Sequence, residues 1–250
     1  MITSTSSSQV KHVVNLQKKA KLRKEEKQFV VEGVKMVSEA PADRLVKVYV
    51  SETFKADNEE FLERMNYDSI GKDVLEIVTD NVFMRMADTQ TPQGIMAVVR
   101  MSDTDLEGIL SDKHNPLLLI IENLQDPGNL GTIVRMAEGA GVTGIIMSSN
   151  TVDIYNPKTI RSTMGSLYRV PVIYVDDICE AADVCKSKGV TVYAAHLKGT
   201  DNYNKKDYTN PTAFMIGNEG NGLTDKLADK ADEYVTVSYT HLTLPTNSLV

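Results

Sequence analysis

The sequence predicts an α/β protein of two domains, a small mixed domain followed by a parallel-sheet domain. Three observations carry that reading. From residue 117 onward, short and nearly continuous apolar runs alternate with helical patterns, as in parallel sheets covered by helices on both faces. Over the first hundred residues, helix-like and strand-like segments alternate in shorter units. Between the two stands "SDTDLEGILSDKHNP", residues 102–116, whose polar composition breaks the pattern and marks a linker. The expected organisation is 1–101, a linker at 102–116, 117–236, and an atypical tail at 237–250.

In order, "QVKHVVNLQKKAKLRKEEKQ" has a helical pattern, "FVVEG" reads as a short strand, and "GVKMVSEA" starts a helix. "LVKVYVS" is a strand rich in β-branched residues, "NEEFLERMN" a polar helix, and "VLEIVT", "NVFMRMAD" and "GIMAVVRM" continue the alternation. Beyond the linker the predicted strands are 117–121, 144–148, 171–175, 190–195, 213–216 and 234–237. Ligands of parallel sheets bind beyond the carboxyl ends of the strands. Two turns rich in Gly and Asn, 126–131 and 217–222, follow strands and fall at such ends.

Composition narrows the class. A chain of 250 residues with 42% hydrophobic content can bury a substantial core. No apolar stretch approaches the ~20 residues of a membrane-spanning helix, and "MITSTSSSQVKH" lacks the apolar core of a secretory signal, so a cytoplasmic location is expected, with no membrane partner. Cys179 and Cys185 match neither a redox pair nor a zinc spacing and read as reduced and structural. The net charge of −7 argues against a globally basic nucleic-acid binder, yet residues 1–30 carry +5 and the rest −12. A local basic stretch attracts phosphate despite the total, because salt confines its field to ~8–10 Å. A solvated helix face explains Lys18, Lys19, Arg23 and their neighbours equally well.

The chemistry is concentrated in two turns. In "LQDPGNLGTIVRMAEGAG", 124–141, Leu130, Ile133, Val134 and Ala137 form a buried helical stripe, and Arg135 lies off it, four residues after Gly131. A guanidinium leaning back over a bare glycine toward Asp126–Asn129 would meet exposed backbone N–H groups, an environment suited to phosphate. A surface pair of Arg135 with Glu138 or Asp126 accounts for the same residues. In "FMIGNEGNGL", 214–223, a strand runs into Gly217, Gly220 and Gly222, which allow close backbone approach, and exposed amides there can read an adenine edge. Thr224 reads as the cap of the following helix. "GAGVTG", 139–144, has the spacing of a dinucleotide fingerprint in the reverse context, helix before and strand after, and reads as a helix stop and turn. The four histidines are scattered, and no metal site is expected.

"NLQDPGNLGTIVRMAEGAGVTGIIMSS", "RSTMGSLYRVPV" and "MIGNEGNGL" together resemble the SpoU (TrmH-like) family of RNA ribose 2′-O-methyltransferases, and the amino-terminal segment resembles that family's L30e-like substrate-binding domain. The resemblance implies a SPOUT fold with a trefoil knot, S-adenosylmethionine as cofactor, a homodimer, and RNA as substrate, ribosomal RNA favoured over transfer RNA. It carries catalytic roles onto Asn129, Arg135 and Glu219, and cofactor binding onto Leu197, Ile216, Gly217, Asn218 and Gly220. Arg135 is expected as an electrostatic partner of the phosphate or developing alkoxide, since a guanidinium with a pKa above ~12 is a poor base. Glu219 would orient Arg135 or hold the site. Arg161, Lys18, Lys19 and Arg23 are the RNA-contact candidates. The family's third motif should follow "ADEYVTV", but the chain reads "SYTHLTLPTNSLV", in which Pro245 interrupts any helix. That tail resembles a translated library adapter and is expected to be non-native, leaving the knot incomplete. An RNA-binding protein without catalysis and a tRNA methyltransferase stay open as alternatives.

Overall fold

The computed structural model describes residues 1–65, 74–111, 115–196, 199 and 201–236, which fall into two compact units. The first comprises Met1–Asp103, Asp126–Glu138 and Val152–Arg169; the second comprises Thr104–Gln125, Gly139–Thr151 and the residues described from Val170 on.

In the first unit, β1 (Gln28–Glu32), β2 (Leu45–Ser51), β3 (Leu75–Val78) and β4 (Ile95–Arg100) lie where the apolar runs predict them and form a sheet of order β1-β4-β2-β3. β4 is antiparallel to β1 and β2, whereas β2 and β3 are parallel. Alternation along the strands divides the core into two clusters. Phe29, Val31, Val48, Val50, Ile95 and Ala97 pack with Met36, Phe54, Ile160 and Leu167. Val30, Tyr49, Met96 and Val98 pack with Val10, Val13 and Leu16 from one helix and Val82, Phe83 and Met86 from another.

The amino-terminal helix differs from its prediction. It forms two helices, Ser8–Lys18 and Ala20–Glu26, broken at Lys19, whose backbone is extended (φ −114°, ψ 101°). Arg23 accounts for the break. Its Nη1 donates to the carbonyls of Leu16 and Gln17 at 2.6 and 2.8 Å, groups left without helical partners by the end of the first helix. Its Nε and Nη2 reach Asp153 Oδ2 at 3.0 and 2.5 Å. Arg23 is 3% exposed, so the expectation of an RNA contact there is corrected: this guanidinium is internal scaffolding. Arg23→Ala should lower stability by about 3 kcal/mol, because it strands two carbonyls and the Asp153 carboxylate. Urea unfolding checks this, and a midpoint equal to wild type would contradict it.

The second unit holds β5 (Leu117–Ile121), β6 (Gly144–Ser148), β7 (Val172–Val175), β8 (Thr191–Ala195), β9 (Asp201–Asn202), β10 (Thr212–Ile216) and β11 (Glu233–Thr236). They form one sheet of order β7-β6-β5-β10-β8-β11-β9, and every neighbouring pair is parallel. The predicted strands agree to within a residue at each end. β9 has no counterpart among them, since two residues carry no period. Leu118, Ile120, Ile146, Val192 and Met215 pack with Ile178, Ala182 and Cys185 of the helix Ile178–Ser187. Both cysteines are unbridged and buried, and burial pushes the Cys185 thiol up to about 11.

The stretch 102–116 contains a helix, Leu106–Ser111, whose Ile109 is buried in this core. Ile109 Cγ2 lies 2.4 Å from where a Cβ on Gly144 would fall, so the last glycine of "GAGVTG" makes room for that helix. The first ends the helix Pro127–Gly139, and Gly141 turns the chain at φ +74°. From β5, the chain steps through β6 to β7 at one edge, whereas β8 begins on the far side of β10. The strand order therefore reverses around β5, β10 and β8, the position at which parallel sheets bind ligands.

Candidate functional site

Because Ile216 is in register with Ile121, the loops leaving β10 and β5 start side by side. The β10 loop closes on itself: Asn218 N donates to Gly222 O at 3.0 Å and Gly222 N to Asn218 O at 2.9 Å. Asn218 Oδ1 accepts the amides of Gly220 (2.9 Å) and Asn221 (3.1 Å), forming an Asx turn. A Cβ on Gly217 would fall 2.1 Å from Gly222 C and 2.2 Å from Leu223 N, so this glycine is required by the loop's own closure.

The β10 loop is tied to the β5 loop at three places. Asn218 Nδ2 donates to Asn123 O at 2.8 Å, Gln125 N donates to Glu219 Oε2 at 3.2 Å, and Thr224 donates to the buried Glu122 carboxylate. The β5 loop is in turn fixed to the loop after β6. Asn123, in the left-handed region at φ 54°, donates its N–H to Ser148 Oγ (2.9 Å), and Gln125 Nε2 donates to Asn150 O (2.9 Å).

The β10 loop forms one wall of a cleft of about 380 Å³, within the range of small-ligand sites. The rest of its lining is Ala195 at the end of β8, His196 directly after it, and Val235 and Thr236 of β11. Among these described residues there is a carboxylate, Glu219, and no lysine or arginine, so the cleft suits a ligand bearing positive charge. Of the predicted residues, Asn218, Glu219 and Gly220 line this cleft, whereas Ile216 ends β10 and Gly217 closes the base of the loop, and neither lines it. Leu197 lies outside the described residues. Sequence reasoning missed His196, whose ring sits 5.0 Å from that of Tyr234 at 32°, and Glu122. The available signal was position: each is the first residue beyond an apolar strand on the ligand side of the sheet.

Asn129 and Arg135 lie in the first unit, on the helix Pro127–Gly139. Asp126 caps it, accepting Asn129 N on Oδ1 at 2.7 Å, and Pro127 follows at the first helical position, where no N–H is needed. Gly131 is not bare. It is buried, and a Cβ there would fall 2.3 Å from Ser162 Cβ and 2.9 Å from Thr159 O, so the helix Pro157–Thr163 occupies the space expected for the arginine to cross. Arg135 is exposed, and neither surface pair forms: Glu138 binds Arg169, and Lys158 faces Asp126 at 3.9 Å. Among the described residues the Arg135 side chain has no ion pair or hydrogen bond.

The other RNA-contact candidates diverge. Lys18 and Lys19 are exposed at the break between the first two helices. Arg161 pairs with Asp88 at 2.6 Å, with both side chains about 40% exposed, a pair weak enough to exchange for phosphate. Among the described residues there is no cluster of His, Cys, Asp or Glu that could hold a metal ion, and no helix long and apolar enough to cross a membrane.

Residues 116–243 match the model of the SpoU rRNA methylase family, and residues 7–97 match the MRM3-like substrate-binding domain. The 23S rRNA (guanosine(2553)-2′-O)-methyltransferase RlmP of Bacillus subtilis is 33% identical over 162 residues, covering 62% of this chain and 60% of that one. An uncharacterized tRNA/rRNA methyltransferase of Synechocystis is 30% identical over 240 residues, 94% of this chain and 84% of that one. Among solved structures, an AdoMet-bound rRNA methyltransferase from Sinorhizobium meliloti superposes with a TM-score of 0.80 at 26% identity, covering 100% of this chain and 91% of that one. The chain therefore spans less than two thirds of the Bacillus relative and most of the other two.

Proposed function

Because the chain belongs to the SpoU rRNA methylase family and has the fold of its methyltransferases, we propose that it methylates a ribose 2′-hydroxyl of RNA, with 23S ribosomal RNA as the favoured substrate. The observation that carries the reading is the cleft beyond the carboxyl ends of β8 and β10, walled by Asn218–Leu223, whose lining holds the Glu219 carboxylate and no lysine or arginine. S-adenosylmethionine fits it in charge and size, and when bound it supplies a methyl group on a positively charged sulfur. Asn218 and Gly220 would present backbone to its adenine, and Glu219 would hold the loop wall through Gln125.

The Arg135 guanidinium is exposed and paired with no carboxylate among the described residues, so it can stabilise the substrate phosphate or the alkoxide as the 2′-hydroxyl loses its proton. Asn129 stands on the same helix, six residues earlier, and would orient the ribose. Lys18, Lys19 and Arg161 are proposed RNA contacts, with residues 1–101 serving substrate binding and 117–236 catalysis. The same reading includes a homodimer, a cytoplasmic location and a SPOUT trefoil knot; the atypical tail 237–250, which stands where the family's third motif is expected, lies outside the described residues.

Incubating the chain with radiolabelled S-adenosylmethionine and either 23S rRNA or tRNA tests the proposal. Label in 23S rRNA at a 2′-O position is the expected result. Label confined to tRNA would change the substrate, and RNA binding without label by a folded, cofactor-binding chain would leave a non-catalytic RNA-binding protein.

A further inference from the structure

We propose that Glu122 is a positioning residue for the cofactor loop, acting through Thr224; the cofactor's identity in this statement rests on the function proposed above. Glu122 is the first residue past β5, and its N–H extends the ladder to Ile216 O at 2.9 Å. The residue is 6% exposed. Each carboxylate oxygen receives one donor, Thr224 N on Oε2 at 2.7 Å and Thr224 Oγ1 on Oε1 at 2.8 Å. The hydroxyl's roles are fixed by its neighbours: it donates to Glu122 and accepts Leu227 N at 3.3 Å, capping the helix Asp225–Ala228.

A buried carboxylate is costly unless its hydrogen bonds define something. Here they define where the loop ends. The ties of Asn218 to Asn123 and of Glu219 to Gln125 fix the loop's entry and tip, both on exposed or half-buried groups. The Glu122–Thr224 tie fixes its exit. Leu223, the last loop residue lining the cleft, sits directly before that anchor. Without Glu122, the wall would be held at one end.

Hydrogen exchange and calorimetry on the full chain test this together. In the protein without cofactor, Glu122→Ala should speed amide exchange at 218–224 by about tenfold or more while the amides of β5 and β6 keep wild-type rates. In calorimetry it should weaken S-adenosylmethionine binding by about tenfold. Glu122→Gln should restore both to within about threefold, because an amide can accept Thr224 N and donate to Thr224 Oγ1. Thr224→Val, at an exposed position, removes the hydroxyl half of the tie while the backbone N–H stays, and supplies a partial loss of the same kind should Glu122→Ala fail to fold.

If the glutamine variant binds cofactor as poorly as the alanine variant with normal exchange, the charge acts directly on the ligand and the positioning role is overturned. Wild-type exchange rates in Glu122→Ala or in Thr224→Val overturn it as well. A wild-type chain that binds no S-adenosylmethionine overturns the proposed function, and with it the loop's assigned ligand, whereas the exchange data still decide the tie.

Discussion

Arg135→Ala should lower the rate of methyl transfer at least about 100-fold while RNA affinity stays within about threefold. The size follows from what the guanidinium would do. A ribose hydroxyl becomes nucleophilic only as it loses its proton, and a fixed cation beside the growing negative charge lowers that barrier without strengthening ground-state binding to the same degree. The structure sharpens the prediction, since Arg135 is exposed and unpaired among the described residues, and Glu138 and Asp126 face other cations. Its removal therefore leaves no carboxylate stranded, and the melting temperature should hold. Single-turnover rates and RNA titrations separate the two effects. Equal losses in rate and RNA affinity would make Arg135 a phosphate anchor instead, and an unchanged rate would remove it from the mechanism. Arg135→Lys is informative in addition: a point charge without the planar fork should recover part of the rate if charge is what matters.

The parallel sheet was legible because its central strands read as unbroken apolar runs: the predicted bounds 117–121 and 144–148 are those of β5 and β6, and β6 is buried along its whole length. Of the two turns expected from the Gly- and Asn-rich segments, 217–222 is a loop at the cleft, whereas 126–131 is the first turn of the helix Pro127–Gly139, where Gly and Asn follow the Asp126 cap instead of leaving a strand. What escaped depends on partners far along the chain. Arg23 reads as one cation in a basic run, and nothing local reveals that Asp153 and the carbonyls of Leu16 and Gln17 claim it. The break at Lys19 was hidden for the same reason. Gly131 reads as a bare spot beneath an arginine, yet the helix Pro157–Thr163, distant in sequence, fills it. The helix Glu52–Asp57 buries only Phe54, too little for a period to emerge, although Ser51 caps it by accepting Phe54 N. Glu122 and His196 were hidden by a different limit, since a single polar residue at a strand end gives no pattern until the fold brings its partner to it.

The second large effect concerns the glycines of the β10 loop, which sequence alone treats as equivalent. Gly217→Ala should destabilise the protein by about 2 kcal/mol and reduce S-adenosylmethionine affinity at least about thirtyfold, because the added methyl overlaps backbone. The atoms it would meet, Gly222 C and Leu223 N at 2.1 and 2.2 Å, cannot move without opening the paired hydrogen bonds between Asn218 and Gly222. Gly220→Ala is the contrast. A Cβ there meets only Asn218 Oδ1 at 3.5 Å, an ordinary contact, and Gly220 is not among the residues with positive φ. Its melting temperature should match wild type. Measured side by side, thermal melts and calorimetry then distinguish a glycine required by the loop from one required by the ligand. Lost affinity with unchanged stability in Gly220→Ala would place the cofactor against that backbone, whereas unchanged affinity would confine the loop's need for glycine to its closure at Gly217. Wild-type stability in Gly217→Ala would contradict the closure itself.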